Sequence, residues 1–515
     1  MYTRFACFLT VILGIARPLQ AGEPTTATDP LSTNAPAKKE EPKKDDEKKD
    51  VPVVTEGTVL VGGKEIRYRA TAGMLPIVGK DNKPAAQVFY IAYTLTNKID
   101  AGVRPVTFCF NGGPGSSSVW LHLGSYGPKR VEFPGDGTTP PRPPGRLVSN
   151  EYSLLDVTDL VFIDPVSTGY SRPELPDKAP DFYGQHNDIQ TVAEFIRLYT
   201  TREKRWRSPK FLSGESYGVF RACGLANYLQ SRFSLYINGL VLVSGVIDFE
   251  TLGGDGLTQT SYLCFLPTMT ATAHYHQKLP PDLQADFKKA IAESRDFAEH
   301  DYFRALSLGA ALPEAERQAA ILKLVRLTGL PPAYVSDHEL RIRPFEFRKQ
   351  LLKAEGKIIG RFDARVVSMD GNAAEATPEF DPSEVAVRGV FSSAMNGYVR
   401  EDLKFEKDMP YEILTGVGPW NWSRDTGYPS TASDLAAAMK QNPHLKVLVQ
   451  CAWRDLACPP DGIQLSLRQL GLPKPIQGNI RIEEYEAGHM LYLNPADLKK
   501  SATDIKDFFR RTLAD

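Results

Sequence analysis

What the chain lacks first is an excess of either charge. Its 61 Lys and Arg stand against 62 Asp and Glu, a formal net charge of −1, so nothing in the balance asks for nucleic acid or a polybasic membrane contact. Cysteine is also scarce. Of the six, Cys7 lies at the extreme N-terminus, and the remaining Cys109, Cys223, Cys264, Cys451 and Cys458 are odd in number and widely spaced, which excludes a disulfide framework. Cys109, Cys223 and Cys451 fall in apolar stretches and read as core residues; a Cys451–Cys458 bridge is left open. No H-E-x-x-H or comparable ligand spacing occurs, so no metal and no organic cofactor is expected. There is no internal repeat. The N-terminal apolar run, Phe5 to Ala16, is too short to span a bilayer. With Arg4 before it and Leu19-Gln20-Ala21 after it, residues 1–21 read as a cleavable export signal, giving a periplasmic or extracellular product with no stable membrane anchor.

What is present begins with a Pro-rich and then densely charged stretch, residues 22–50, with few large apolar side chains. Such a composition cannot offset the entropy of ordering, and a disordered linker is expected there. From Val53 the pattern changes. "TVLVGGKEIRYRA" and "QVFYIAYTL" read as antiparallel strands, the first pair joined at Gly62-Gly63. Short apolar runs follow: "PVTFCF", "LVFIDP", "PKFLS", "GLVLVSGV" and, much later, "LKVLVQCAW" and "NIRIEEY". Helical patterns such as "IQTVAEFIRLYTTR" and "YGVFRACGLANYL" lie between several of them. Strands without polar alternation, interleaved with helices, predict a mainly parallel α/β sheet covered on both faces. Residues 255–408 break the rhythm with helical signals and no obvious buried strand. They read as a helical cap inserted between a first core part, 51–254, and a second, 409–515.

Gly214-Glu215-Ser216-Tyr217-Gly218 fits the G-x-S-x-G nucleophile elbow, a strand turning sharply into a helix with the serine at the turn. The match is weak alone, but "PKFLS" supplies the strand, and Val219, Ala222, Cys223, Ala226 and Leu229 mark one face of the helix. A serine needs a base, and the base an orienting acid. Asp455 leaves "LKVLVQCAW" directly. Of eight histidines, only His489 lies beyond the last apolar strand and its exit. Ser216, Asp455 and His489 are therefore the expected nucleophile, acid and base. Asp248, at the end of "SGVIDF", is the rival acid, and Asp461 a weaker one. A tetrahedral oxyanion also needs backbone donors. The loop Asn111-Gly112-Gly113-Pro114-Gly115 after "PVTFCF" predicts Gly113 and Tyr217 in that role.

Five ordered blocks, "FNGGPGSSSVWLHLGSYGPKRV", "FIDPVSTGYSR", "LSGESYGVFRACGLANYL", "CAWRDLACPP" and "EAGHMLYL", resemble the serine carboxypeptidase family of α/β-hydrolases, and the layout is similar to its bacterial branch. The resemblance implies a peptide substrate with a free C-terminal carboxylate, bound by Asn111 and Glu215. Two carboxyl groups share a site only if one keeps its proton, so Glu215 is expected to be neutral with substrate bound, which favours acidic pH. Three positions depart from the family pattern: Ser125 where a second glutamate is frequent, Ser116 where many members have a disulfide cysteine, and Ser167 where glycine is frequent. Two other readings use the same residues: an esterase or acyltransferase on this scaffold, and a non-catalytic secreted binding protein. Trp420 and Trp422 read as buried packing rather than pocket lining. Side-chain preference and oligomeric state are not encoded legibly.

Overall fold

The computed structural model describes residues 51–79, 83–96, 104–253, 258–423 and 427–514. The chain separates into two units, Met1–Lys49 and Asp50–Asp515, and the architecture below belongs to the second. The expected export signal and linker lie outside the described residues. Among the described residues no helix is long and apolar enough to cross a membrane.

Among the described residues, nine strands carry the fold: β1 (Val53–Val61), β2 (Lys64–Val78), β3 (Pro84–Leu95), β4 (Val106–Phe110), β5 (Asp159–Ile163), β6 (Lys210–Glu215), β7 (Gly239–Val243), β8 (Lys446–Ala452) and β9 (Ile480–Tyr485). They lie in the order β1-β2-β3-β5-β4-β6-β7-β8-β9, with the two-residue strand Arg172–Pro173 beside β3. The first three pair antiparallel, β3 meets β5 antiparallel, and all pairs from β5 to β9 are parallel. Val61 pairs with Lys64, so Gly62 and Gly63 form the whole β1–β2 turn at φ 54° and 80°. Both central residues of such a turn need the left-handed region.

The parallel strands lack polar alternation because both of their faces are buried. In β7, Val241 and Val243 join a core with Tyr93, Phe162, Phe211, Phe508 and Phe509. Leu240 and Leu242 join the opposite core with Phe108, Phe195, Leu212 and Leu229. Helices α1 (Gln185–Arg202), α2 (Tyr217–Phe233) and, later in the chain, α7 (Ala432–Gln441) cover the second face; α8 (Pro495–Ala514) covers the first. This is the α/β-hydrolase fold with a mostly parallel central sheet.

Between β7 and β8 the chain builds a separate apolar cluster from α3 (Thr260–Tyr275), α4 (Phe287–Phe297), α5 (Glu314–Thr328) and shorter helices, around Phe265, Met269, Tyr302, Leu324 and Phe347. Leu456, from the far side of β8, completes it. This region also holds a short antiparallel pair, Lys357–Ile359 with Val367–Met369, in which Ile358 and Ile359 are buried. Three-residue strands are too short to show a period in sequence. Helix α6 (Pro382–Glu401) instead sends Phe391 and Met395 into the sheet's first core. The five described cysteines, Cys451 and Cys458 included, are free and buried.

Candidate active site

Strand β6 ends at Glu215, and α2 begins at Tyr217, so Ser216 is the single residue of the turn. It holds φ 62°, ψ −128°, a region costing a non-glycine residue about 1–3 kcal/mol and kept only where the surroundings impose it. The imposition is visible: a Cβ on Gly214 would stand 2.1 Å from the Gly218 carbonyl oxygen. The Ser216 N–H is held by the Val243 carbonyl at 3.0 Å. Ser216 is half-buried, and its side chain lies near the Cys458 thiol.

Asp455 follows β8 and is fully buried. Its Oδ1 accepts the N–H groups of Ala457 at 2.8 Å and Cys458 at 2.9 Å. Its Oδ2 faces His489 Nδ1 at 2.7 Å, the length of a charge-assisted bond. Burial works to discharge the imidazole, but the charges of Asp455 and Glu215 outweigh it and raise the His489 pKa above its ordinary value. With Nδ1 held by Asp455, Nε2 is the nitrogen available to a nucleophile. The rival acids are engaged elsewhere: Asp248 caps the turn at Phe249–Thr251 through the Glu250 N–H, and Asp461 pairs with Arg295 at 2.7 Å.

The glycine loop runs against the elbow. A Cβ on Gly112 would lie 2.4 Å from the Tyr217 nitrogen, so only glycine lets the two backbones approach. Gly113 takes φ 99°. Tyr217 is the first residue of α2, and its N–H is one of those a helix N-terminus leaves without an internal acceptor. Asn111 Oδ1 accepts the Leu121 N–H at 3.1 Å, and the Asn111 side chain lies close enough to Glu215 to favour its ionised form. Glu215 is buried, and burial pushes its pKa up to about 7 against the opposing effects of His489, Tyr492 and Asn111.

The three departures from the family pattern have local accounts. Ser167 sits at φ 75°, the conformation that glycine would supply freely, and its Oγ accepts from Tyr183 at 3.1 Å. Ser116 Oγ accepts the Trp120 indole N–H at 2.8 Å. Ser125 is buried, and its carbonyl accepts from Asn150 at 2.6 Å. Trp420 and Trp422 are half-buried, edge-on to Tyr217 at 5.6 and 5.9 Å between ring centres, and Trp420 also lines a cavity with Asp188 and Arg221, so the reading as buried packing alone holds only in part.

Three residues escaped the sequence reading. Tyr492 donates to both oxygens of Glu215, at 3.2 and 2.9 Å; its place three residues after His489 was the available signal. Asp164, at the exit of β5, accepts Ser118 N–H and Oγ–H at 2.8 and 2.7 Å and Tyr411 O–H at 2.8 Å, tying the glycine loop's end to a distant segment. Burial raises its pKa to about 6. Phe362, from the inserted region, lies parallel to the His489 ring with centres 5.1 Å apart, and no local motif announces it.

Residues 64–479 match the family described as serine carboxypeptidase. Among curated proteins, the chain is 30% identical over 156 residues to serine carboxypeptidase-like 36 of Arabidopsis thaliana, covering 29% of each. It is 31% identical over 157 residues to the pheromone-processing carboxypeptidase KEX1 of Saccharomyces cerevisiae, covering 28% of this chain and 20% of that one. With the lysosomal protective protein of Mus musculus it shares 28% identity over 150 residues, 28% and 29% of the two chains. The chain thus spans a third or less of the length of these curated relatives. The crystal structure of the S. cerevisiae prohormone-processing carboxypeptidase Kex1 superposes with a TM-score of 0.53 at 17% identity, covering 86% of this chain and 91% of that one, a likeness of fold.

Proposed function

Since the chain belongs to the serine carboxypeptidase family, we propose that it is an exported serine carboxypeptidase of the family's bacterial branch, removing the C-terminal residue of peptides through Ser216, His489 and Asp455. The observation that carries the reading is the 2.7 Å Asp455–His489 contact beside an elbow serine whose neighbour Glu215 is a buried carboxyl.

In this mechanism His489 Nε2 takes the Ser216 proton as Oγ attacks the last peptide carbonyl. Asp455 keeps the proton of Nδ1 in place and balances the imidazolium. The amides of Gly113 and Tyr217 receive the oxyanion. His489 then returns the proton to the leaving amino group, and water, deprotonated by the same ring, releases the acyl chain from Ser216.

Recognition of the terminus falls to Asn111 and Glu215. A substrate carboxylate beside an ionised Glu215 would place two anions in one dry site, so binding selects the protonated form. Glu215 has its pKa near 7 when free, and an adjacent carboxylate moves it higher. Carboxylate binding is therefore strong below about pH 7 and fades above it. Protonating Glu215 also removes one of the charges that hold the imidazolium, so the base is freed as the binding site forms.

The test compares one blocked dipeptide as free acid, amide and ester across pH 4–9. Hydrolysis of the free acid preferred below neutrality supports the reading; equal turnover of all three at every pH refutes carboxylate recognition. Labelling by a fluorophosphonate should occur and disappear in Ser216→Ala. A folded wild type that resists labelling contradicts the nucleophile assignment.

A further inference from the structure

We propose that the inserted tetrapeptide Arg361–Ala364 is a positioning element for the catalytic base, with Phe362 its principal residue. The proposal rests on the triad reading above and adds a component from the insertion.

The tetrapeptide sits between the two loops that deliver the acid and the base. The Arg361 carbonyl accepts the N–H of Leu456, next to Asp455, at 3.0 Å. The Phe362 carbonyl accepts the His489 N–H at 2.5 Å. Asp363 Oδ2 accepts the Gly488 N–H at 3.2 Å, and the Ala364 N–H returns to the Arg454 carbonyl at 2.9 Å. Of four successive residues, the outer two thus bond to the acid loop and the inner two to the base loop. A Cβ on Gly488 would stand 2.2 Å from the Phe362 carbonyl oxygen, so the base loop must be bare at that point for the bond to form.

Phe362 also acts on the imidazole itself. Its ring is tilted only 15° from that of His489, covering one face and excluding water there. Behind it the Arg361 guanidinium lies 5.4 Å from the Phe362 ring centre. The tetrapeptide is anchored from outside the site: Asp363 pairs with Arg365 at 2.7 Å, and the Ala364 carbonyl meets His276 Nε2 at 2.7 Å. The ionisable groups around His489 are Asp455 and Glu215 on the core side, Arg361 and Asp363 on the tetrapeptide, and Cys458 beside Ser216. Phe362 contributes no charge to this set. Its effect is to withhold water from the ring, which disfavours the imidazolium, and to fix the ring's plane.

Removing the aromatic ring should therefore admit water, stabilise the imidazolium and move the acidic limb of activity to higher pH. The experiment measures fluorophosphonate inactivation rate, kcat and KM against pH for wild type, Phe362→Ala, Phe362→Leu and Phe362→Tyr. The expected result is about a tenfold loss of kcat with KM within twofold, an acidic limb displaced upward in the alanine and leucine variants, and recovery of both rate and limb in the tyrosine variant. The leucine variant carries the test if the alanine variant does not fold. Unchanged rate and limb overturn the proposal, as does a loss of rate with the limb unmoved and no recovery by tyrosine. Inactivation needs no peptide, so a wild type that labels but cleaves no peptide rejects the carboxypeptidase reading and leaves this test standing.

Discussion

The Ser216 side and the His489 side of the proposed site are held by different physics. Around Ser216 the constraint is steric: Gly214 and Gly112 have no room for a side chain, and a strained serine is trapped between strand and helix. Around His489 the constraint is polar: the Phe362 carbonyl and the carboxylates of Asp455 and Asp363 hold the ring and its loop, and the Arg361 carbonyl holds the loop of Asp455. A steric frame tolerates no added atom but needs no partner; a polar frame depends on groups that the chain must bring from elsewhere.

The largest effect that would sharpen this contrast is at the acid. Asp455→Asn should lower kcat by about 10⁴-fold, since the amide leaves imidazole in the wrong tautomer, while the elbow and the folded core persist by circular dichroism. Survival of activity within tenfold would break the claim that the base depends on that contact. Next, Gly214→Ala should destabilise the protein by about 3–5 kcal/mol in urea unfolding, at the upper end for single substitutions. Gly488→Ala should displace the Arg361–Ala364 contact and cut kcat with a smaller loss of global stability. A reversed order would mean that the elbow is the softer side.

Smaller again is the effect of Glu215→Gln on pH. In wild type, KM for a free-acid peptide should be level below about pH 7 and rise roughly tenfold per unit above it as Glu215 ionises; the variant should lose that rise. The smallest effect is on stability. Burial raises Asp164 to about 6 and Glu215 to about 7, and His489 is raised by its anionic neighbours. Each binds more protons folded than unfolded as pH rises from its unfolded to its folded pKa, from about pH 4 to 7 for the two carboxyls and above about 6.5 for His489, so each makes stability fall as pH rises. The melting temperature should be about 2–5 °C higher at pH 5 than at pH 8, and Asp164→Asn should flatten part of the slope.

The same contrast explains what could be read in the sequence. The elbow was legible because steric demands select glycine at fixed spacings, and the strands of the parallel sheet because burial on both faces leaves uninterrupted apolar runs. Chain order singled out Asp455 and His489 because each follows a strand end. Phe362 was opaque: its partner is 127 positions away, and its bond uses a carbonyl that every residue possesses. Asp164 was hidden for a related reason, since one of its donors, Tyr411, lies in a segment of no regular structure. The pair Lys357–Ile359 and Val367–Met369 escaped because six residues carry no periodicity.

The bond from the Arg361 carbonyl to Leu456 bears on how such enzymes can be re-engineered. A lid exchanged between relatives to alter substrate choice would normally be cut at its outermost helices and treated as a detachable module. Here that graft would carry away three acceptors and one donor that the acid and base loops rely on, so a working chimera must keep residues 361–364 with the recipient and confine the exchange to the helices before them.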